Sequence, residues 1–291
     1  MSVISQEQKD QFHERGYLVL PHFLSKEETD ALLARSKALL EEFSLEGHPM
    51  TKFETGGPES KHVGDEYFLT SGDKIRYFME EGAVTDGKLN RPKEQAVNKI
   101  GHALHELDPV FRRVTLENPK LQTLAKELGF HDDPRVLQSM VICKQASIGG
   151  AVPPHNDSTF LYTDPPSALG FWFALEDCTA TNGALSFLPG SHRTTKITKR
   201  FVRLDEGGTD FETLAPEQEG PSADGYELEP CPAGSLVLIH GTVLHKSEKN
   251  TSARTRFAYT FHMIEGKAVY DKKNWLQPTR EMPFSTLFSA N

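Results

Sequence analysis

The sequence predicts an α+β chain, an antiparallel β-sandwich or barrel with a helical N-terminal part packed on it as one unit. Three observations lead there. After Pro134 the chain breaks into short runs rich in branched and aromatic residues, at 136–144, 169–175, 184–188, 236–239 and 257–263. Turn-forming pairs such as Gly149-Gly150, Pro153-Pro154, Asn182-Gly183 and Pro189-Gly190 punctuate these runs, as in a protein of many short strands. Before Pro134, apolar residues recur instead at helical spacing.

The N-terminal segment reads as helices framing a short strand. Ser25-Lys-Glu-Glu28 is a capping box, with Ser25 as N-cap and Glu28 three residues on. Leu32, Leu33, Leu39, Leu40 and Phe43 then form a helical stripe ending near Phe43. Upstream of it, Gly16-Tyr-Leu-Val-Leu20 is β-prone and closed by Pro21. Residues 44–66, rich in Gly, Pro and charge, read as a loop. Residues 95–128 read as helical, interrupted around Asp108-Pro109 and Asn118-Pro119. Residues 204–229, with Gly207-Gly208 and many acids, read as an inserted mobile loop between strands. With no internal repeat and no long linker, one domain is expected, its helical part over about 1–134 and its β core over about 135–265.

The 291 residues are 37 % apolar and 25 % charged, enough to bury a core. The longest apolar runs, such as Ser235-Leu-Val-Leu-Ile239, fall far short of the roughly 20 residues of a bilayer-spanning helix. The N-terminus lacks the apolar stretch of a signal peptide, and the final Phe-Ser-Ala-Asn is not a peroxisomal address. A soluble, cytoplasmic protein is expected. The net charge of −9, without a basic stripe, argues against nucleic acid as a partner, and nothing points to a membrane. The cluster Lys196, Lys199, Arg200, Arg203 could receive an anionic substrate tail, although such clusters are more often solvated faces. Cys143, Cys178 and Cys231, an odd count with no Cys-x-x-Cys spacing, fit buried free thiols in a reducing compartment.

His155-Asn-Asp157 opens the β region. In an extended segment residues i and i+2 point to the same side, so this imidazole and carboxylate can face one cation. His245, 88 residues beyond Asp157, follows an apolar strand and offers a third ligand. Two histidines and one carboxylate on one face leave positions open opposite them, the ligand set of non-haem ferrous oxygenases. Zinc competes for the same ligands, and His240 competes with His245. Arg256, eleven residues beyond His245, opens a strand-like stretch, and its planar fork suits a carboxylate. Arg254 shares its face and is the alternative clamp.

The residues Pro154-His-Asn-Asp157, Leu185-x-Phe-Leu-Pro-Gly-Ser-His192 and His245-x-Ser-x-x-Asn250 followed by Arg256 resemble the phytanoyl-CoA dioxygenase family. The likeness extends through Tyr67-Phe-Leu-x-Ser-Gly-Asp-Lys-Ile-Arg76, Asn98-Lys-Ile-Gly-His-Ala-Leu-His105, Val243-x-His-Lys-Ser247 and Asn274-Trp-Leu-Gln-Pro-Thr279. That resemblance implies a double-stranded β-helix, a cupin-type jelly roll. It also implies Fe(II) on His155, Asp157 and His245, and 2-oxoglutarate held by Arg256 with Lys99, Met140, Trp172 and Ser247. The implied reaction uses O₂, turns 2-oxoglutarate into succinate and CO₂, and hydroxylates a small-molecule or acyl substrate, with ascorbate as reductant. The rival expectation is a metal-binding cupin acting as sensor or scaffold, which would not need Arg256 beside an open pocket. A halogenase is disfavoured because Asp157 is intact. A hydrolytic zinc enzyme would need a general base that no motif supplies.

Overall fold

Residue alternation along the central strands decides which side of the main sheet is core and which is cavity. The protein is described from a computed structural model, over residues 2–52, 65–216 and 224–288. Setting aside two-residue strands, the chain forms β1 (Tyr17–Leu20), β2 (Ile75–Met79), β3 (Val97–His102), β4 (Pro134–Lys144), β5 (Val152–His155), β6 (Leu169–Ala174) and β7 (Leu185–Phe187). It continues with β8 (Lys199–Arg203), β9 (Thr209–Thr213), β10 (Glu227–Glu229), β11 (Leu236–His240), β12 (His245–Ser247) and β13 (Arg256–Glu265). The main sheet runs β1-β11-β6-β13-β4-β3-β2, and a smaller sheet runs β10-β7-β12-β5. Both are antiparallel and face one another as an open jelly roll, the double-stranded β-helix.

On β13, Phe257, Tyr259, Phe261 and Met263 join Leu169, Phe171 and Phe173 of β6 in the largest apolar cluster, which also takes in Leu32, Leu39, Phe111 and Leu121 from the helices. The intervening Arg256, Thr260 and His262 line a cavity between the sheets. This period of two sends one face of the sheet to the helices and the other to the site.

The helices begin where the sequence signals lie. Ser25 Oγ accepts from the Glu28 N–H at 3.1 Å and the Glu28 carboxylate accepts from the Ser25 N–H at 2.8 Å, starting helix Lys26–Glu42. Two further helices, Pro109–Thr115 and Pro119–Leu128, start on the caps Asp108 and Asn118 with proline in the first turn. The two predicted interruptions are therefore helix starts.

Three expectations are corrected. Residues 97–102 form β3 and not helix, because pairing of Lys99 with Ile142 and Ile100 with Val141 places that segment beside β4. The helical part accordingly contributes three strands, β1, β2 and β3, to the main sheet. The 204–229 segment is not one loop: it supplies β9 and β10, the β8–β9 hairpin turning at Gly207 and Gly208, both with positive φ, and packing Phe201 on Phe211. Within 44–66, residues 44–52 form no helix or strand of more than one residue, Asp65 caps helix Glu66–Leu69, and 53–64 lie outside the described residues. Cys143, Cys178 and Cys231 are buried free thiols. Among the described residues no helix is long and apolar enough to cross a membrane.

Phe261 is fully buried and stacks on Phe171 with ring centroids 4.7 Å apart. Phe261→Ala is expected to cost about 3–5 kcal/mol in denaturant unfolding; a loss below about 1 kcal/mol would contradict its place in the core.

Candidate metal centre and co-substrate pocket

Strand register assembles the first part of the site. His155 ends β5 and is paired with His245, the first residue of β12, which is itself paired with Phe187 of β7. Asp157 opens a single 3-10 turn, Asp157–Thr159, whose preceding residue Asn156 accepts from the Thr159 N–H at 3.0 Å. That turn brings the carboxylate under the two rings.

Each imidazole is oriented by main chain. Nδ1 of His155 donates to the Pro153 carbonyl at 2.9 Å, and Nδ1 of His245 to the Val243 carbonyl at 3.2 Å. With the proton on Nδ1, each Nε2 keeps its lone pair. Both Nε2 atoms lie 3.7 Å from Asp157 Oδ1, and the three ligand atoms lie within 4.8 Å of one another. Two neutral nitrogens and one carboxylate oxygen on one side suit ferrous iron with open positions opposite. Burial lowers the His155 ring to about 4, so it is neutral, as a metal ligand must be. Burial alone would raise the Asp157 carboxyl, but His262 and His245 outweigh it and hold it well below the usual carboxylate range.

The other carboxylate oxygen is also held. Asp157 Oδ2 accepts from His262 Nε2 at 3.2 Å. Gly170 makes room for this contact, since a Cβ there would lie 3.3 Å from both Asp157 Oδ2 and His262 Nε2.

The second part of the site is cationic. Arg256 is 1 % exposed, its Nη2 donates to Ser247 Oγ at 3.4 Å, and its guanidinium lies 5.2 Å from the Trp172 ring centre. Its Nε and Nη1 are buried with no hydrogen-bond partner among the described residues. Lys144, directly across from Arg256, donates to Ser247 Oγ at 2.8 Å and to the Gly150 and Glu248 carbonyls at 3.0 and 2.6 Å. Burial, reinforced by the Arg256 charge, pulls the Lys144 ammonium down to about 7. Lys99 Nζ sits 3.4 Å from Met140 Sδ, and burial brings it also to about 7.

All the residues singled out from the sequence, His155, Asp157, His245 and Arg256 together with Lys99, Met140, Trp172 and Ser247, line one cavity of about 430 Å³. The alternatives lie elsewhere. Arg254 is exposed, and His240 packs against the rings of Phe130 and His192. The basic cluster is largely committed to internal contacts. Arg200 pairs with Glu212 and Asp271, Arg203 donates to the Leu69 and Trp275 carbonyls, and exposed Lys199 lies over the Phe211 ring. Lys144, His262 and Gln138 also line the cavity and were missed. Counting by twos from Met140 reaches Gln138 and Lys144, and counting from Arg256 reaches His262.

The family model for phytanoyl-CoA dioxygenase (PhyH) matches residues 12–258. Phytanoyl-CoA dioxygenase domain-containing protein 1 of Danio rerio is 44 % identical over 294 residues, spanning 99 % of this chain and 100 % of that protein. Its Bos taurus counterpart is 46 % identical over 299 residues, with the same coverage. An Arabidopsis thaliana phytanoyl-CoA dioxygenase is 43 % identical over 276 residues, or 94 % of each chain. Among solved structures, the α-ketoglutarate-dependent carbocyclase SnoK superposes with a TM-score of 0.63 at 20 % identity, covering 97 % of this chain and 98 % of that one. EctD from S. alaskensis with bound Fe gives 0.63 at 20 % identity, covering 94 % and 80 %. These two likenesses establish the fold.

Because Gly170 leaves the space in which Asp157 meets His262, Gly170→Ala is expected to weaken divalent-metal binding about tenfold, the low end for disturbed ligand support, with little change in thermal stability. Metal titration of the apoprotein reads this directly; unchanged affinity would remove the role given to that gap.

Proposed function

The chain belongs to the phytanoyl-CoA dioxygenase family and is a 2-oxoglutarate-dependent dioxygenase, and we propose that His155, Asp157 and His245 hold its ferrous iron while Arg256 clamps the co-substrate. The observation that carries this reading is the Arg256 guanidinium, buried with two nitrogens unpaired. A buried cation without a counter-charge is strongly unfavourable, and a carboxylate in its fork removes that cost. The donor set fits the metal as well, since both Nε2 lone pairs converge on a carboxylate held in place from its far side.

When bound, ferrous iron supplies the activation of O₂ that couples decarboxylation of 2-oxoglutarate to succinate and CO₂ with hydroxylation of a small-molecule or acyl substrate. The chain's own groups bind and orient. Arg256 takes the far carboxylate of 2-oxoglutarate, and Ser247, between Arg256 and Lys144, presents its hydroxyl beside that fork. Lys99 adds positive charge near Met140. Met140 and Trp172 wall the co-substrate from water, which strengthens each of these charge contacts. Ascorbate serves as the external reductant. Holding the co-substrate at both ends keeps the reacting groups within reach of substrate, the main contribution a protein makes to such chemistry.

Succinate formation from 2-oxoglutarate with ferrous iron, ascorbate and air tests the reading. Slow turnover without added substrate is expected, and it should vanish in Asp157→Ala. Arg256→Ala should raise the 2-oxoglutarate requirement about thirtyfold or more while metal still binds, as expected for losing one partner of a buried charged pair. Arg254→Ala should leave that requirement unchanged. Metal binding with no 2-oxoglutarate affinity in anaerobic titration would favour a metal-binding scaffold instead.

A further inference from the structure

The cavity face of the main sheet is a grid whose two ends differ. At one end Lys144 lies opposite Arg256; in the middle Met140, Thr260 and Trp172 lie side by side; at the other end come Gln138, His262 and Gly170. With the co-substrate clamped at the Arg256 end, the Gln138–His262 row lies at the opposite end, against the iron-ligand carboxylate.

That row carries polar groups the co-substrate reading does not use. Gln138 is 5 % exposed, and its Oε1 is buried with no hydrogen-bond partner among the described residues. His262 is 7 % exposed, and its Nδ1 is likewise without a partner. A carboxylate only accepts, so His262 Nε2 donates to Asp157, and Nδ1 is the ring nitrogen left to meet a ligand. A buried amide oxygen and a buried ring nitrogen, on neighbouring strands whose side chains line the cavity, call for a ligand that brings hydrogen-bonding groups.

The surrounding wall is apolar. Phe160 lies 6.1 Å from the His155 ring and 5.6 Å from Phe201, and Phe68 stacks on Trp275 at 4.3 Å. The charges nearby do not suit a polyanion. Arg200 and Arg203 are held as described above, and Lys246 pairs with Glu248 at 2.9 Å, while Glu80 accepts from the Gly150 N–H at the Lys144 end. We propose that Gln138 and His262 anchor the primary substrate, an uncharged small molecule with an apolar body whose hydroxyls hydrogen-bond to Gln138 Oε1 and His262 Nδ1, and not an acyl-CoA. This rests on the dioxygenase reading above, which locates the co-substrate at the other end. It also gives substrate a direct line to the iron ligands, since the ring that meets its hydroxyl donates to Asp157.

The full chain loaded with Mn(II) and 2-oxoglutarate tests the assignment by NMR, with cis-cyclohexane-1,2-diol as neutral probe and hexanoyl-CoA as anionic probe. Paramagnetic relaxation of the diol protons is expected in the wild type and should fall at least tenfold in Gln138→Leu, while Gln138→Glu, which keeps an acceptor oxygen at that position, should retain it. Binding of 2-oxoglutarate to each variant serves as the check that the site is folded. No diol relaxation with 2-oxoglutarate bound, equal relaxation in wild type and Gln138→Leu, or stronger relaxation of hexanoyl-CoA than of the diol would each overturn the subsite. Failure of 2-oxoglutarate itself to bind the wild type would overturn the dioxygenase reading, and this inference with it.

Discussion

A guanidinium buried at the floor of a jelly roll, with no carboxylate paired to it among the described residues, is the constraint on which the site depends. Arg256 enters β13 in register with Lys144 on β4, so two cationic side chains share one end of the cavity. Both side chains hydrogen-bond to the Ser247 hydroxyl. Such an end is stable only if an anion completes it or if the cost is carried by the rest of the fold. The aromatic core lies on the opposite face of the same strands.

The metal end is built on different logic. His155 and His245 are brought together by strand pairing, and their tautomers are set by carbonyls two residues back in each case. Asp157 comes from a turn and not from a strand, so it needs external support, which His262 and the space at Gly170 provide. Main-chain geometry therefore orients two ligands, and a side chain on the neighbouring sheet orients the third.

Much of this was legible in the sequence, for identifiable reasons. The ligands lie in short local patterns, His-x-Asp at a strand end and a histidine after an apolar run, and the clamp lies a fixed distance further on. The capping box at Ser25 was legible because its two hydrogen bonds are local. β3 was not, because its partner lies some forty residues on, and pairing of Lys99 with Ile142 outweighs its helical appearance. Nor were Lys144, Gln138 and His262, whose runs read as plain apolar strands until the register shows which face each residue takes. The basic cluster around Arg200 could be weighed only as a solvated face or an anion site, because its pairing with Glu212 across the β8–β9 hairpin and with Asp271 appears only in the fold.

The claim that Arg256 exists for a second carboxylate is tested most directly by comparing two ligands that differ only there. Anaerobic titration of the ferrous protein with 2-oxoglutarate and with 2-oxopentanoate measures what the distal carboxylate contributes. The account expects 2-oxoglutarate to bind tighter by about 2 kcal/mol or more, some thirtyfold, as for a buried charge left unpaired in the other complex. Equal affinity for the two acids would contradict it.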